Sequence, residues 1–421
     1  MERNKTVIIV GAGLAGLSCA NQVLQLSSKH NVVILEKLGK AGGNSIKASS
    51  GINGAGTRHQ KEQDSPAQFF DDTVKSAKGL GKPELMKVLS ERSAQAVNWL
   101  EQDFGVDLSV VAQLGGHSVA RTHRGGGKLP PGFAIISALS KPLEDKIWPN
   151  CRVLELIRGS NNQVTGVKYV QGSTQHELMG QVVLASGGFS GSKEMLMRYR
   201  PDIAHLPTTN GPQTQGEGQQ MCGLIDAQLR EMDQVQVHPT GFVDPADPSN
   251  GTKFLAGEAL RGEGGVLLDA QGKRFVDELQ TRDVVSRAIM DRDGDPTLVL
   301  DQRAYSRIQH HVDFYMMKGL MRSGTLADLK AEFGWTADPE VSTSSEKYYW
   351  GVVTPVVHFT MGGVETTAHG HVVDKTGHVI PNLYAAGEVT GGVHGANRLG
   401  GSSLLECVVF GRIIAESIVN S

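Results

Sequence analysis

The first 36 residues constrain the fold of this chain more than any other segment. An apolar, β-branched run, Val7–Val10, leads directly into Gly11, Gly13 and Gly16, and a helical pattern of apolar residues follows. A second apolar run ends at Glu36, about 20 positions beyond the glycines, as in a dinucleotide fingerprint. The order of strand, glycine turn, helix and acid-terminated strand therefore predicts a dinucleotide-binding βαβ unit.

Each glycine in such a unit has its own task. Gly11 permits the tight turn, Gly13 lets a pyrophosphate approach the backbone, and Gly16 allows the helix to pack closely on the strand. The helix N-terminus supplies free N–H groups and a favourable dipole for the phosphates. Glu36 is expected to accept hydrogen bonds from a ribose. Because all these features occur in register, we favour a dinucleotide site over an ordinary glycine-rich turn.

Composition and charge limit the classes of partner. A net charge of −3 over 421 residues argues against nucleic acid or an anionic membrane. Apolar runs stay well short of the roughly 18 residues of a membrane span. The first strand begins within six residues of Met1, which predicts no signal or transit peptide. Four cysteines stand far apart without a CxxC motif, so we expect reduced thiols in a cytoplasmic protein; they are Cys19, Cys151, Cys222 and Cys407.

The pattern along the chain predicts a discontinuous α/β domain, Rossmann-like, with an inserted α+β capping domain. Residues 1–231 and 354–421 contain apolar strands that end in glycine turns, such as Gln181–Leu184. Residues 232–353 are richer in charge and in Asp-Pro and Gly turns, and we expect them to fold over the ligand edge. A terminal helix is predicted from about Ser402 or Ser403. Further helical patterns occupy Pro66–Ser76, Pro83–Asp103 and Phe133–Leu143.

Several short motifs occur in an order typical of one family. They are Gly42-Gly43-Asn44-Ser45, His238-Pro239-Thr240, Thr281-Arg282-Asp283, the run from His358 to Gly363, and the run from Gly395 to Gly401. Together with the fingerprint, these motifs resemble the soluble FAD-dependent fumarate reductases. That family is related to the flavoprotein subunits of succinate dehydrogenase and to aspartate oxidase. The resemblance extends over essentially the whole chain and is greatest to the haem-free fumarate reductases of yeasts.

The resemblance implies that the fingerprint binds FAD, and without a covalent bond. Membrane-complex relatives carry a histidine bonded to FAD where this chain has Ser45, and serine cannot form that link. The lower flavin potential expected without the link favours reduction of fumarate over oxidation of succinate. The implied FAD contacts are Gly11, Gly13, Ala15, Gly16, Glu36, Lys37, Gly43, Asn44, Ser45, Ser50, Gly51, Asn53, Val153, Ser186, Gly187, Glu388, Ser402, Leu404 and Leu405.

The resemblance also implies roles in chemistry for residues of the capping segment and of the last glycine loop. His238, His358 and Arg398 would bind the carboxylates of the substrate, since a guanidinium matches a carboxylate bidentately. Arg282 would donate the proton, supplied through Glu258 and Arg261. The family usually has a threonine before the relay glutamate, whereas this chain has Gly257. His117 and Ser118, in a turn that the family places near the substrate, are expected to compensate.

Two alternatives remain open at this point. The same fold could reduce another conjugated acid or an enone, such as urocanate, an acrylate or a ketosteroid, and Gly257 keeps this possibility open. The chain could also be a flavin electron-transfer subunit that needs a redox partner. In the preferred case the partners are a small dicarboxylate and an external donor, either reduced flavin or a reduced carrier. His310 and His311 lack completing ligands, as do His117 and His123, so we expect no metal site.

Overall fold

The computed structural model describes residues 5–127, 129–342 and 344–421. None of the helices in these ranges is long and apolar enough to cross a bilayer. The strands are β1 (Lys5–Val10), β2 (His30–Leu35), β3 (Ile52–Asn53), β4 (Val110–Ala112), β5 (Thr122–Arg124), β6 (Ile147–Trp148), β7 (Cys151–Arg158), β8 (Val164–Gln171), β9 (Thr174–Met179), β10 (Gln181–Leu184), β11 (Leu229–Arg230), β12 (Val235–Phe242), β13 (Phe254–Leu255), β14 (Val266–Leu268), β15 (Thr297–Asp301), β16 (Arg322–Gly324), β17 (Tyr348–Thr360), β18 (Gly363–Glu365), β19 (His371–Val373), β20 (Val379–Ala385) and β21 (Thr390–Gly391). The helices are α1 (Leu14–Leu26), α2 (Pro66–Ala77), α3 (Pro83–Glu91), α4 (Ser93–Phe104), α5 (Pro131–Ser140), α6 (Lys193–Tyr199), α7 (Glu217–Leu224), α8 (Ala259–Gly262), α9 (Arg282–Met290), α10 (Gln302–Met317), α11 (Leu326–Phe333) and α12 (Ser402–Val419).

The first sheet has the order β19-β20-β10-β1-β2-β6. Five of its strands run parallel, and β19 alone pairs antiparallel at one edge. Val7, Ile8, Ile9 and Val10 are all buried, because a parallel sheet is covered on both faces. Strand β10 (Gln181–Leu184) pairs in parallel with β1. After β1 the chain continues to β2 on one side of the pair, and after β10 the next strands of this sheet, β19 and β20, lie on the other side, so the carboxyl ends of β1 and β10 form a topological switch point, where ligands bind.

Helix α12 packs on α1 against one face of this sheet. Gly411 of α12 makes the close approach possible, since a Cβ there would lie 2.7 Å from the Ala15 carbonyl oxygen. Leu405, Val408 and Ile414 join the core that α1 and the sheet share. This packing fixes where α12 begins, and hence where its N-terminus points.

The pattern predicted as one helix, Pro83–Asp103, forms two helices that meet at Arg92. Ser90 donates its hydroxyl to the Lys87 carbonyl, and Ser93 donates to the Ser90 carbonyl. Serine side chains that bond to nearby backbone offer an alternative to the helical ladder. The break follows from these local bonds, which apolar periodicity alone does not reveal.

A second sheet has the order β13-β12-β17-β15-β14, and β16 also pairs with β17. Its core includes Phe242, Leu298 and Tyr349 together with α9 and α10 residues. Strand β17 runs across residue 353, the predicted end of the insertion, and pairs with this sheet from Tyr348 to Thr360. The predicted division into 1–231, 232–353 and 354–421 stays a prediction. The fold class, an α/β dinucleotide-binding domain with a second sheet, is confirmed by the architecture.

Candidate active site

A cavity of about 810 Å³ lies between the carboxyl edge of the first sheet and elements of the second sheet. This is within the range of about 300–1,000 Å³ that small ligands and cofactors occupy. The residues that follow the central strands of the first sheet line this cavity: Gly11 after β1, Glu36 after β2, Ser186 after β10 and Glu388 after β20. The second sheet adds Phe254 and Leu255, α9 adds its first residue, Arg282, and α10 adds Phe314 and Tyr315.

The glycine turn has the geometry of a phosphate site. Gly11 has φ +108°, and a Cβ there would lie 2.5 Å from the Ala185 carbonyl oxygen, so only glycine fits. A Cβ at Gly16 would lie 2.1 Å from the Gly11 carbonyl oxygen, which shows how closely α1 packs on the turn. At Gly13 a Cβ would meet no heavy atom of the described residues within 4 Å, because this position faces the open cavity.

Two helices direct their N-termini at the same cavity. Gly13 is the N-cap of α1 and Gly401 is the N-cap of α12, and neither N-terminus is capped by a side chain of a described residue. Uncapped N–H groups and the positive end of the helix dipole stabilise negative charge. The α1 end suits a diphosphate, and the α12 end, bordered by Ser403 and Leu404, suits the electron-rich edge of a flavin.

Polar side chains around this part of the cavity fit the remainder of a flavin dinucleotide. The Glu36 carboxylate accepts from the backbone N–H groups of Ala12 and Leu38, each at 2.8 Å, and this fixes it at the cavity wall. The Ser186 hydroxyl is buried and has no partner among the described residues. Burial raises the pKa of Glu388 to about 7, although Thr360 donates to its carboxyl group. Lys37 forms a salt bridge with Glu217, and both residues line the cavity.

Most of the residues expected to contact FAD line this cavity, and four lie outside the lining formed by the described residues. Asn53 donates to the Gly400 carbonyl at 2.8 Å and to the Ser402 hydroxyl at 3.0 Å. The contact between Asn53 and Ser402 therefore holds the start of α12 in place. Leu405 is buried in the core and Gly16 packs against the turn. Those that line it are Gly11, Gly13, Ala15, Glu36, Lys37, Gly43, Asn44, Ser45, Ser50, Gly51, Val153, Ser186, Gly187, Glu388 and Leu404.

Two guanidinium groups and one imidazole face the other end of the cavity. Arg282, His358 and Arg398 all line it. Arg398 stacks 4.5 Å above the centre of the Phe359 ring, and its Nε is buried without a partner among the described residues. Burial, reinforced by repulsion from Arg282, lowers the pKa of Arg398 to about 9. The buried Arg398 guanidinium, with its unpartnered Nε, therefore suits a site for an anion.

The two candidate substrate histidines lie side by side. The ring centres of His238 and His358 are 5.1 Å apart. Burial and the nearby arginines hold the pKa of both residues well below the usual value, so both imidazoles are neutral. The Nδ1 atom of His238 lies 3.1 Å from the Thr240 N–H and 3.2 Å from the Thr240 carbonyl oxygen, so it has a partner in either tautomer. Its Nε2 is buried and bonds to none of the described residues, and His238 is not among the described residues that line the cavity.

Arg282 and Glu258 form a buried pair. Arg282 donates to Glu258 Oε2 from Nε at 2.7 Å, and its NH2 lies 2.6 Å from the same oxygen. The Gly115 N–H donates to the other carboxylate oxygen at 2.9 Å. Burial raises the pKa of Glu258, but Arg282 and Arg261 outweigh it and lower the pKa to about 2. Glu258 is therefore an anion that holds one face of Arg282.

The sequence did not reveal two residues that organise the arginine end of the cavity, Gln236 and Thr209. Gln236 accepts from Arg282 NH1 at 3.0 Å and donates to the Arg398 carbonyl at 2.8 Å, so it links the two arginines. It lies two positions before His238 in β12, and the two-residue period of a strand could have indicated it. The Thr209 hydroxyl lies 2.7 Å from Nδ1 of His358, but its loop carries no sequence signal of this contact.

The two residues expected to compensate for Gly257 lie elsewhere. His117 is buried and lies 3.0 Å from the Gly400 carbonyl, while Ser118 is exposed and donates its hydroxyl to Asp72 at 2.8 Å. Neither is among the described residues that line the cavity. The turn bonds to its neighbours in α2 and to the glycine loop, which draws both side chains away.

The space beside Gly257 is bordered instead by two hydroxyl groups. A Cβ at Gly257 would lie 2.9 Å from the Ser49 Oγ and 3.5 Å from the Tyr315 hydroxyl. Ser49 and Tyr315 both line the cavity. A larger residue at position 257 would therefore compete with Ser49 for this volume.

The chain is similar, in sequence and in fold, to proteins whose family is known. The sequence matches the FAD binding domain family over residues 6–404. It is 47% identical to Fumarate reductase 1 of Saccharomyces cerevisiae over 98% of each chain. It is 42% identical to the fumarate reductase of Schizosaccharomyces pombe over 98% of this chain and 89% of that relative. The open conformation of a flavocytochrome c3 fumarate reductase matches the fold with a TM-score of 0.83 at 31% identity, covering 100% of this chain and 78% of that one.

Proposed function

The chain belongs to the FAD-binding family of fumarate reductases, as its sequence predicts, and on that basis we propose that it reduces fumarate to succinate. FAD is the cofactor of this oxidoreductase. The observation that most supports the choice of substrate is the group of cations at one end of the cavity. Arg282 and Arg398 meet there with one bonded carboxylate, Glu258, among the described residues, which leaves a net positive charge that attracts an anionic substrate.

Each polar group at this end has a task in the proposed reaction. Bound FAD, once reduced, supplies a hydride to one alkene carbon. Arg398 and His358 hold one carboxylate of fumarate, and the Nε2 atom of His238, which has no partner among the described residues, binds the other. Arg282 donates a proton to the second alkene carbon, while Glu258 orients its guanidinium and returns a proton to it.

The second sheet and α10 reduce the access of water to this reaction. Phe254, Leu255, Phe314 and Tyr315 border the cavity. Their apolar surfaces strengthen the attraction between the arginines and the substrate, because charges interact more strongly where water is displaced. We propose that the electrons come from an external donor, either reduced flavin or a reduced carrier. The four free cysteines support a cytoplasmic location.

We expect a strong preference for a dicarboxylate. Each charged hydrogen bond to the second carboxylate contributes about 1.5–3 kcal/mol, so kcat/KM for fumarate should exceed that for crotonate by about 100-fold. The measurement is anaerobic turnover with fumarate, crotonate and urocanate under one electron donor. Faster reduction of crotonate or urocanate would favour the alternative, a reductase of another conjugated acid, which Gly257 in place of the family's usual threonine leaves open.

We propose that FAD is bound without a covalent link. Ser45 borders the cavity at the position where the covalent histidine of the membrane-complex relatives is expected, and its hydroxyl cannot form a histidyl bond. Denaturing the protein in acid should release all the FAD into the supernatant, measured by absorbance, and leave a polypeptide of unmodified mass. A yellow pellet after washing would contradict this expectation.

A further inference from the structure

The proposed proton path has no outlet at Arg261. Each turnover needs a proton from water, but Arg261 is only 2% exposed and Glu258 is 3% exposed. The Nε and NH2 atoms of Arg261 are buried, and neither bonds to any of the described residues. A path that ended at this guanidinium would stop inside the protein.

Glu278 is a neighbour of Arg261. Arg261 NH1 donates to the Glu278 backbone carbonyl at 2.7 Å. Burial lowers the pKa of Arg261, whereas the nearby carboxylates of both Glu258 and Glu278 raise it. Arg261 is therefore near two carboxylates, Glu258, which pairs with Arg282, and Glu278.

Arg274 connects Glu278 to solvent. Its Nε donates to both carboxylate oxygens of Glu278, at 3.1 Å and 2.9 Å, and its NH2 bonds to one of them as well. The side chain of Arg274 is 47% exposed, whereas that of Glu278 is 3% exposed. Arg282 and Glu258 form one ion pair and Arg274 and Glu278 form another, while Arg261 lies between them in the series and bonds to the Glu278 backbone carbonyl.

We propose that Glu278 and Arg274 extend the proton path from Arg261 to solvent. This inference rests on the proposed fumarate reduction. One proton enters from water at the Arg274–Glu278 pair and passes to Arg261 as Arg261 gives its own to Glu258. Glu258 passes a proton to Arg282 as Arg282 gives its own to the substrate carbon. Every relay group returns to its starting protonation state, and water has lost one proton per succinate formed.

A purely structural role for Glu278 predicts a different result for Glu278→Gln than a relay role does. Its Oε1 accepts from the Leu267 N–H at 2.8 Å, and its backbone carbonyl holds Arg261. Glu278→Gln keeps an oxygen for Leu267 and leaves the backbone carbonyl in place, but a glutamine cannot accept and release a proton. A relay role therefore predicts slow proton transfer in a protein that is otherwise intact.

The test uses the FAD-loaded protein, reduced under anaerobic conditions. For Glu278→Gln we expect reoxidation by saturating fumarate to slow by about tenfold, less than the 100-fold or more of a group that touches the substrate, because water can replace an outer relay group. The solvent isotope effect should rise, and KM for fumarate should stay unchanged. Reoxidation by ferricyanide, which needs no proton at carbon, should keep the wild-type rate.

Glu332→Gln is the matched control. Glu332 also accepts from an arginine, Arg322, at 2.9 Å and from Trp350 at 3.0 Å, but it belongs to no link of the path. It should leave all rates and the isotope effect unchanged. If Glu278→Gln does not fold, Arg274→Gln at the exposed end serves instead and should change the fumarate rate and the isotope effect in the same direction.

Three outcomes would overturn the inference. One is a wild-type fumarate rate and isotope effect in the folded variant. Another is an equal slowing with ferricyanide, which would indicate damage to the flavin site. The third is a slower rate with an unchanged isotope effect and a lower melting temperature, which would indicate a structural role. If reduced wild-type protein itself is not reoxidised by fumarate, the proposed function fails first, and that result is separate from any difference between variants.

Discussion

Arg282→Ala is expected to lower the rate of fumarate reduction by about 1,000-fold or more while FAD remains bound, since a general acid alone contributes about 10²- to 10⁴-fold. The substitution removes the proposed proton donor and one of the two guanidinium groups that face the substrate cavity. The measurement is kcat and kcat/KM for fumarate, with the FAD content and the flavin spectrum recorded on the same samples. Retained turnover would refute the assignment of the acid.

Two further variants separate chemistry from folding at this position. Alanine leaves Glu258 buried without its partner, which costs about 3–5 kcal/mol of folding free energy when a buried pair is broken. Arg282→Lys keeps a cation beside Glu258 and should fold well, but it loses the planar contact and should still be slow. Arg287→Ala, on the same helix and 73% exposed, should keep wild-type turnover. A slow Arg287 variant would point to damage of α9 as a whole.

Gly13→Val should fold but fail to retain FAD, with affinity lowered by at least about 100-fold, or about 2.7 kcal/mol. The reason is visible in the turn: a Cβ at Gly13 meets none of the described atoms within 4 Å, so valine fits the protein alone. Its methyl groups would instead occupy the space beside the α1 N-terminus where the pyrophosphate approaches. The measurement is FAD content after purification, followed by titration of the apoprotein with FAD. A variant that purifies yellow would contradict this account.

Gly16→Val distinguishes binding from packing. Its Cβ would lie 2.1 Å from the Gly11 carbonyl oxygen and 3.0 Å from the Ile9 side chain, so the helix could not stay against the turn. We expect this variant to be insoluble or to melt far below the wild type. Thermal unfolding of the two valine variants, each without FAD, compares them directly. A Gly16 variant as stable as the Gly13 variant would contradict the assigned packing role.

The parts of the fold that sequence alone predicted are those governed by local pattern. The βαβ unit from Val7 to Glu36 depends on residues close together in sequence, and so do the strand before Ser186 and the helix from Ser402. Parallel strands bring their carboxyl ends to one edge, so the meeting of Gly11, Ser186 and Glu388 could be inferred from the strand pattern.

The contacts that sequence did not reveal depend on tertiary placement. Gln236 joins two arginines from distant segments, and Thr209 meets His358 across 149 positions. Neither residue type indicates such a contact by itself. Ser118, which the family order places near the substrate, is exposed and bonds to Asp72, and its contact with the substrate stays a prediction. Hydrogen bonds between polar residues far apart in the sequence are the part of the site that the sequence pattern and the family resemblance predict least well.

Anaerobic mixing of pre-reduced wild-type protein with fumarate is the direct test of fumarate reduction with Arg282 as the proton donor. We expect the flavin absorbance to return as one fumarate becomes one succinate per FAD. We expect reduced Arg282→Ala to be reoxidised by ferricyanide but not by fumarate. Wild-type flavin that stays reduced in excess fumarate, yet is reoxidised by ferricyanide, would contradict the proposed fumarate reduction.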